Sequence, residues 1–258
     1  MKIIFLRHGA THATNQGLIQ GSSNSWDLNS TTTTGLYKVQ DSAREIAELL
    51  EGKSKEDVYI YSGTQSRCQS STGVLATYLK ARGFVKDENV AFDARLNGRS
   101  YGRLEGLPEK KVKTPSYLLF HPAASLSMIA ATFGAQNYMR IEPTNEYRER
   151  VFEILAEIFM THNNEKDTVI ISATSDMFNF LQKDRELHSI CYFGYEQPTF
   201  VSGKKPKRIK LEPGQFSTFE VEKPIYAPST DSWIPVWESL ATRDYMEREI
   251  INPNQKGE

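Results

Sequence analysis

The sequence predicts an α/β fold, a three-layer α/β/α sandwich around a mainly parallel sheet. Two patterns carry that prediction. Short apolar runs that end in glycine or polar residues read as buried strands, and they alternate with longer segments whose apolar residues recur at helical spacing. A chain that alternates strand and helix in this way builds a parallel sheet covered on its faces by helices.

The elements follow in order. Lys2-Ile3-Ile4-Phe5-Leu6 is apolar enough to be buried on both faces and stops at Arg7-His8-Gly9. Residues 10–34, rich in Ser, Thr, Asn and Gly, read as a long loop. Over 35–52, Leu36, Val39, Ala43, Ile46 and Leu50 share one helical face, and Gly52 makes the stop. Residues 57–63 form a second strand. Residues 66–83 form a helix with Val74, Leu75, Tyr78 and Leu79 inward and Gly83 at its end. A third strand is expected over 89–96. The clearest helix spans 146–162, with Val151, Ile154, Leu155 and Ile158 in one stripe, before a fourth strand over 167–174 and a helix opening at Asp176.

Two stretches break the alternation. Residues 107–141 are poor in acid and rich in aliphatic and aromatic side chains, and read as a lid over one end of the sheet. Residues 196–222 read as a late pair of strands. From 223 to 258 runs a tail whose Trp233 and Trp237 are expected to pack back on the body, so that 1–258 forms one domain.

Composition excludes several functions. Of 258 residues, 31 are Lys or Arg and 32 are Asp or Glu, a net charge of −1 that gives no general attraction to nucleic acid or to an anionic membrane. An anion site must therefore be a local cluster. The basic run 203–210, Gly-Lys-Lys-Pro-Lys-Arg-Ile-Lys, lacks interleaved aromatic residues and reads as a solvated hairpin. No apolar stretch reaches the ~20 residues needed to span a bilayer. Two cysteines, Cys68 and Cys191, form no disulfide framework, which suits a reducing cytoplasm.

In a parallel sheet, ligands bind at the carboxyl ends of the strands. The first strand ends at Arg7, His8 and Gly9, where the glycine is expected to let the backbone turn tightly, and the second at Ser62, with Arg67 opening the next helix. The third leads to Arg99, and the fourth ends at Ser172, Ala173, Thr174 and Ser175. Guanidinium forks and helix N-termini suit a tetrahedral, multiply charged oxyanion. A histidine among them can act as a nucleophile toward phosphorus or as an acid or base. The spacing of His8 and His12, four residues apart in a loop without an intervening Glu, reads as a pocket-rim histidine; no metal is expected. His121 reads as a turn residue. His162 and His188 read as helix-end residues near the negative end of a dipole.

Several stretches carry a family resemblance. Phe-Leu-Arg-His-Gly-Ala-Thr at 5–11 with Ile-Gln-Gly at 19–21 resembles the opening motif of the histidine phosphatase superfamily, in its phosphoglycerate mutase-like branch. The stretch 61–71 around Arg67 fits the segment in which an arginine opens the second helix. The stretch 95–108 is similar to the family's Leu-x-Glu-Arg-x-Tyr-Gly-x-x-Glu-Gly. The stretch 167–176 sits where the family has its fourth strand followed by Ser-His-Gly. The resemblance covers residues 1 to about 222. It implies a phosphatase that forms a phosphohistidine on His8 and clamps phosphate with Arg7 and Arg67. It implies no cofactor.

The sequence departs from the pattern at three places. The family's acid glutamate falls on Gly98, its second histidine on Ala173, and its loop asparagine on Thr14, with Asn15 adjacent. The acid-phosphatase branch instead carries an Asp directly after the second histidine. A shift of two residues puts Ser175 at the histidine position and Asp176 at the donor position. Asp176 is therefore the expected replacement acid, and Glu105 reads as structural. The phosphate set is Arg7, Arg67, Thr14, Arg99 and Ser175, with Arg99 balanced between substrate and a carboxylate. The expected partner is a small phosphorylated molecule, and the reading allows a homodimer. The competing reading is a catalytically impaired member that binds a phosphorylated ligand or a protein; a mutase, which needs both missing residues, ranks third.

Overall fold

The computed structural model of the chain describes residues 1–112, 140–162, 164–178 and 211–220. Strand β1, Lys2–Arg7, is buried along its middle because it lies inside the sheet: β4, Thr168–Ala173, runs parallel on one side of it, and β5, Phe216–Glu220, runs antiparallel on the other. β2, Val58–Ser62, pairs parallel with β4 and with the short edge strand β3, Val90–Phe92. The sheet order is β3-β2-β4-β1-β5. Its mainly parallel character follows from the alternation of strand and helix, and β5 is the one antiparallel member.

Helices cover both faces. Helix α3, Thr33–Leu49, puts Val39, Ala43, Ile46 and Ala47 against the sheet, and α4, Ser66–Ala81, puts Leu75, Ala76 and Leu79 there. With Ile4, Leu6, Val58, Ile60 and Ile170 these residues form one core cluster. On the other face, α6, Thr144–Thr161, buries the expected stripe of Val151, Ile154, Leu155 and Ile158, and Tyr147, Phe152 and Phe159 widen it. Phe5 points to that side as well, its ring centroid 5.1 Å from that of Phe178 in the turn of helix over 175–178.

The sequence expectations need three corrections. Residues 10–34 are not a plain loop: they hold α1, His12–Gln16, and α2, Trp26–Asn29, too short and polar to show apolar periodicity. The third strand stops at Phe92. Asp93 then accepts a hydrogen bond from the Arg95 N–H at 2.7 Å and caps a 3-10 turn over Ala94–Leu96. Gly9 is not needed for a tight turn. A Cβ there would stand 2.6 Å from the Gly35 carbonyl oxygen, so what requires glycine is the close approach of the first turn of α3.

A four-residue helix α5, Glu109–Val112, opens the expected lid. Residues 113–139 of the lid, with His121, lie outside the described residues, as do His188, the basic run 203–210 and the strand expected before β5. The chain divides into two compact units, Met1–Lys223 and Pro224–Glu258. The second unit corresponds to the expected tail, and its tryptophans lie outside the described residues.

Candidate active site

The register of β1 against β4 places Arg7 opposite Ala173, and the His8 N–H donates to the Ala173 carbonyl at 3.1 Å. The carboxyl ends of the two central strands therefore meet at His8. Its ring is 2 % exposed, and Nδ1 lies 2.8 Å from the Gly9 carbonyl oxygen. A carbonyl only accepts, so Nδ1 carries the proton and Nε2 keeps its lone pair. Burial, with Arg67 and Arg7 nearby, holds the His8 pKa well below its ordinary value. The imidazole is neutral at physiological pH, the form a nucleophile needs.

Two guanidiniums flank it. Arg7 donates from Nη1 to the Leu211 carbonyl at 2.6 Å, and its backbone is tied at both ends to the approach of β5: its N–H to Gln215 and its carbonyl to the Gly214 N–H. Arg67 is fully buried at the start of α4. Its fork donates to the Asn29 side chain, to the Gly21 carbonyl at 2.6 Å and to Gln65 Oε1 at 3.0 Å. These partners are neutral, and among the described residues no carboxylate forms an ion pair with Arg7 or Arg67. The Nε–H of each arginine finds no acceptor there either. Burial lowers the pKa of both guanidiniums, but from so high a starting point that both stay charged.

Neutral amides set the fork of Arg67. Gln65 Oε1 also accepts the Gly98 N–H at 3.0 Å, and Gln65 Nε2 donates to the Gly21 carbonyl. Asn97 Oδ1 accepts from the Thr64 N–H at 2.8 Å and holds the turn before α4. Sequence reasoning missed Asn29, Gln65 and Asn97. Only Gln65 carried a local signal, as the residue before the start of α4; Asn29 and Asn97 meet their partners from segments distant in sequence.

Asp176 stands in the first turn of the helix after β4. Burial raises its pKa; Arg67, the Tyr101 hydroxyl within hydrogen-bonding reach, and Arg7 pull the other way without cancelling it. Ser175, beside it, is half-buried. Thr14 is otherwise engaged: with Thr11 it closes a capping box on α1, its hydroxyl donating to the Thr11 carbonyl at 2.8 Å and accepting the Thr11 N–H at 2.7 Å. Arg99 donates from Nε to the Glu142 carbonyl at 2.9 Å, and its guanidinium lies 5.8 Å from the centre of the Tyr101 ring. Glu105 is a bracket for two loops, accepting the Ser22 N–H at 2.8 Å and the Tyr101 N–H at 2.9 Å. His12 is exposed at the start of α1.

At Gly98, where the resemblance puts an acid, a Cβ would stand 3.1 Å from the Gly21 carbonyl oxygen, 3.2 Å from Thr174 Cγ2 and 3.3 Å from Arg67 Nη2. The position faces the fork of Arg67 but is closely packed. Among the described residues, no three His, Cys, Asp or Glu side chains gather as metal ligands, and no helix is long and apolar enough to cross a membrane.

A family model described as the histidine phosphatase superfamily (branch 1) matches residues 3–179, and the chain belongs to that superfamily. No curated protein matches it. Among solved structures, it is similar to a putative alpha-ribazole-5'-P phosphatase from Escherichia coli str. K-12, with 15% identity, 87% of this chain and 92% of that one covered, and a TM-score of 0.55. It is also similar to a phosphoglycerate mutase from Bacillus anthracis str. Sterne, with 15% identity, 72% and 81% covered, and a TM-score of 0.53. A structure described as mycobacterial hydrolase 2 matches at 15% identity, with 93% and 97% covered and a TM-score of 0.54. At these identities the likeness establishes the fold, a phosphoglycerate mutase-like α/β architecture.

Proposed function

We propose that the protein hydrolyses a small phosphomonoester through a phosphoryl group carried transiently on His8. One observation carries this reading. A buried neutral imidazole, whose Nε2 takes no hydrogen bond among the described residues, stands beside the buried Arg67 and the half-buried Arg7, each with an Nε–H that no described residue accepts. A phosphoryl group offers oxygens to those donors and phosphorus to the lone pair.

In the first step Nε2 of His8 attacks phosphorus, and the ester P–O bond breaks with its electron pair on the leaving oxygen. Asp176, kept toward its neutral form by burial, gives that oxygen its proton. Arg7 and Arg67 hold the non-bridging oxygens as charge builds on them. The Nδ1–H bond to the Gly9 carbonyl fixes the ring while it is cationic. Water then attacks the phosphohistidine, the Asp176 carboxylate takes one of its protons, and the P–N bond breaks back to His8 and inorganic phosphate. Ser175 is a further candidate contact to phosphate. Thr14 is left out because its hydroxyl closes the capping box of α1, whereas Arg99, with only its Nε engaged, remains a candidate contact. The chemistry needs no cofactor and suits a cytoplasmic enzyme.

A second reading has its own observation: Gly98 and Ala173 stand where the family acid and second histidine would be, so the protein binds a phosphorylated ligand without cleaving it. Turnover of a panel of phosphomonoesters beside a His8→Ala control separates the two. Asp176→Asn is expected to slow alkyl phosphates by about 10²–10⁴ and aryl phosphates, whose leaving groups scarcely need a proton, by only a few-fold. Equal losses on both remove Asp176 from the acid role. No wild-type turnover on any substrate, with vanadate still bound, establishes the binding reading.

A further inference from the structure

Thr174 ends β4 and precedes the helix that opens at 175. A threonine in that place ordinarily caps the helix, its hydroxyl accepting an N–H two or three residues on. Here it does not. The Phe178 N–H goes to the Thr174 carbonyl at 3.3 Å, and the Thr174 hydroxyl, on a residue only 4 % exposed, finds no hydrogen-bond partner among the described residues. A buried hydroxyl left unpaired is costly and is normally removed or paired. Its surroundings give a reason for keeping it. Thr174 continues the row of Thr168, Ile170 and Ser172, the side of β4 on which Ile170 packs with α3 and α4. Its Cγ2 and Arg67 Nη2 stand 3.2 and 3.3 Å from the same point, where a Cβ on Gly98 would be. The neighbouring residue, Ala173, has its carbonyl held by the His8 N–H. Thr174 therefore stands between Arg67 and the end of β1, where the unaccepted Nε–H groups of Arg7 and Arg67 also lie.

We infer that the Thr174 hydroxyl donates a hydrogen bond to a non-bridging oxygen of the bound phosphoryl group, beside Arg67. It is a phosphate-binding residue in a position where the family resemblance predicts no side chain. The inference rests on the phosphate reading of the His8 site. It adds a buried neutral donor to a set led by the guanidiniums of Arg7 and Arg67.

The test uses the full chain, with orthovanadate and inorganic phosphate as probes in isothermal titration and an alkyl phosphate as substrate. Thr174→Val keeps the Cγ2 contact and removes only the hydroxyl. It is expected to weaken vanadate binding and lower kcat/KM by about tenfold to a hundredfold, the worth of a hydrogen bond to a charged group. Its melting temperature is expected to stay level or rise, because an unpaired buried hydroxyl is gone. A hydroxyl that served packing alone would give the reverse, a lower melting temperature with unchanged binding. Should Thr174→Val fold poorly, Thr174→Ser against Thr174→Ala repeats the comparison, since both lose Cγ2 and differ only in the hydroxyl; Ser should bind vanadate at least tenfold tighter than Ala. Vanadate bound by the wild type and equally by the hydroxyl-free variants overturns the role of Thr174 and leaves the His8 site standing. A wild type that neither binds vanadate nor turns over substrate overturns both.

Discussion

Two histidines are buried among the described residues, and nearly everything around them differs. His8 is 2 % exposed and His162 is 4 % exposed, and burial lowers the pKa of both. At His8 the neighbouring charges are arginines, which push the same way as burial. At His162, the residue that follows α6, the nearby charge is Asp167, which pushes back. The rest of the His162 shell is aromatic: the Tyr59 ring stacks on it at 3.8 Å, and the Tyr61 hydroxyl lies 2.7 Å from Nε2. The Nε2 and the ring face of that imidazole both have structural uses. Burial is therefore not what marks a functional histidine. The mark is a cationic shell with Nε–H donors that the described residues leave unaccepted.

The sharpest way to break this comparison is to delete each ring. His8→Ala is expected to lower turnover by about 10⁴-fold or more, as loss of a nucleophile does, with little change in melting temperature. His162→Ala should leave kcat/KM within a few-fold. Turnover surviving in His8→Ala would remove the distinction.

Stability should sort the two rings in the opposite order. His162→Ala removes a buried ring that closes α6 against β2 and strands the Tyr61 hydroxyl, a loss of about 2–4 kcal/mol. Urea unfolding measures it. A smaller loss than in His8→Ala would mean that the aromatic shell is not what His162 supports.

The same contrast decides what could be read in the sequence. β1, β2, β4, α4 and α6 were legible because each shows burial as a pattern, such as the stripe of Val151, Ile154, Leu155 and Ile158. α1 and α2 were not, because at five and four residues they are too short to show a period, and α1 is held by a cap, the Thr11–Thr14 box. His8, Arg7 and Arg67 stood out because charged residues at strand ends are conspicuous. Asn29 and Gln65, which aim Arg67, and Asn97, which holds the turn before α4, are neutral amides with no period and no charge. Thr174 was visible only as one hydroxyl among several, since an unpaired hydroxyl is a fact of packing.

The backbone under His8 offers a smaller effect. A Cβ on Gly35 would stand 2.4 Å from the Ala10 carbonyl oxygen and 2.6 Å from its nitrogen, both backbone atoms that cannot swing aside. Gly35→Ala is expected to cost about 1–3 kcal/mol and to lower activity, because the segment it displaces carries His8 and Gly9. Gly73, inside α4 with no neighbour near its missing Cβ, is the control. Gly73→Ala should gain about 0.5–1 kcal/mol at unchanged activity. Equal effects at the two glycines would mean that the contact of α3 with the His8 loop is slack.

The smallest effect is the pH dependence of stability, which reads the two shells directly. For each histidine the folded pKa lies below the unfolded one, near 6.5. As pH falls below 6.5 the unfolded chain takes a proton that the folded chain refuses, so stability falls, at about 1.4 kcal/mol per pH unit for each ring, until the folded pKa is reached. Asp176 acts in the other direction. Its folded pKa is raised, so as pH falls toward the unfolded value near 3.8 the folded state takes the proton first and gains stability. The two histidines should differ in window. His8, pressed down by burial and by two arginines, stays neutral far below 6.5, whereas Asp167 lets His162 charge sooner. Each ring is isolated by subtracting a variant. His162→Gln should flatten the acid slope only over a narrow span below pH 6.5, and His8→Gln should flatten it further into the acid range. Denaturant unfolding at half-unit pH steps measures both slopes. Coinciding spans would mean that the arginines do not control the His8 imidazole, and its neutrality would then rest on burial alone.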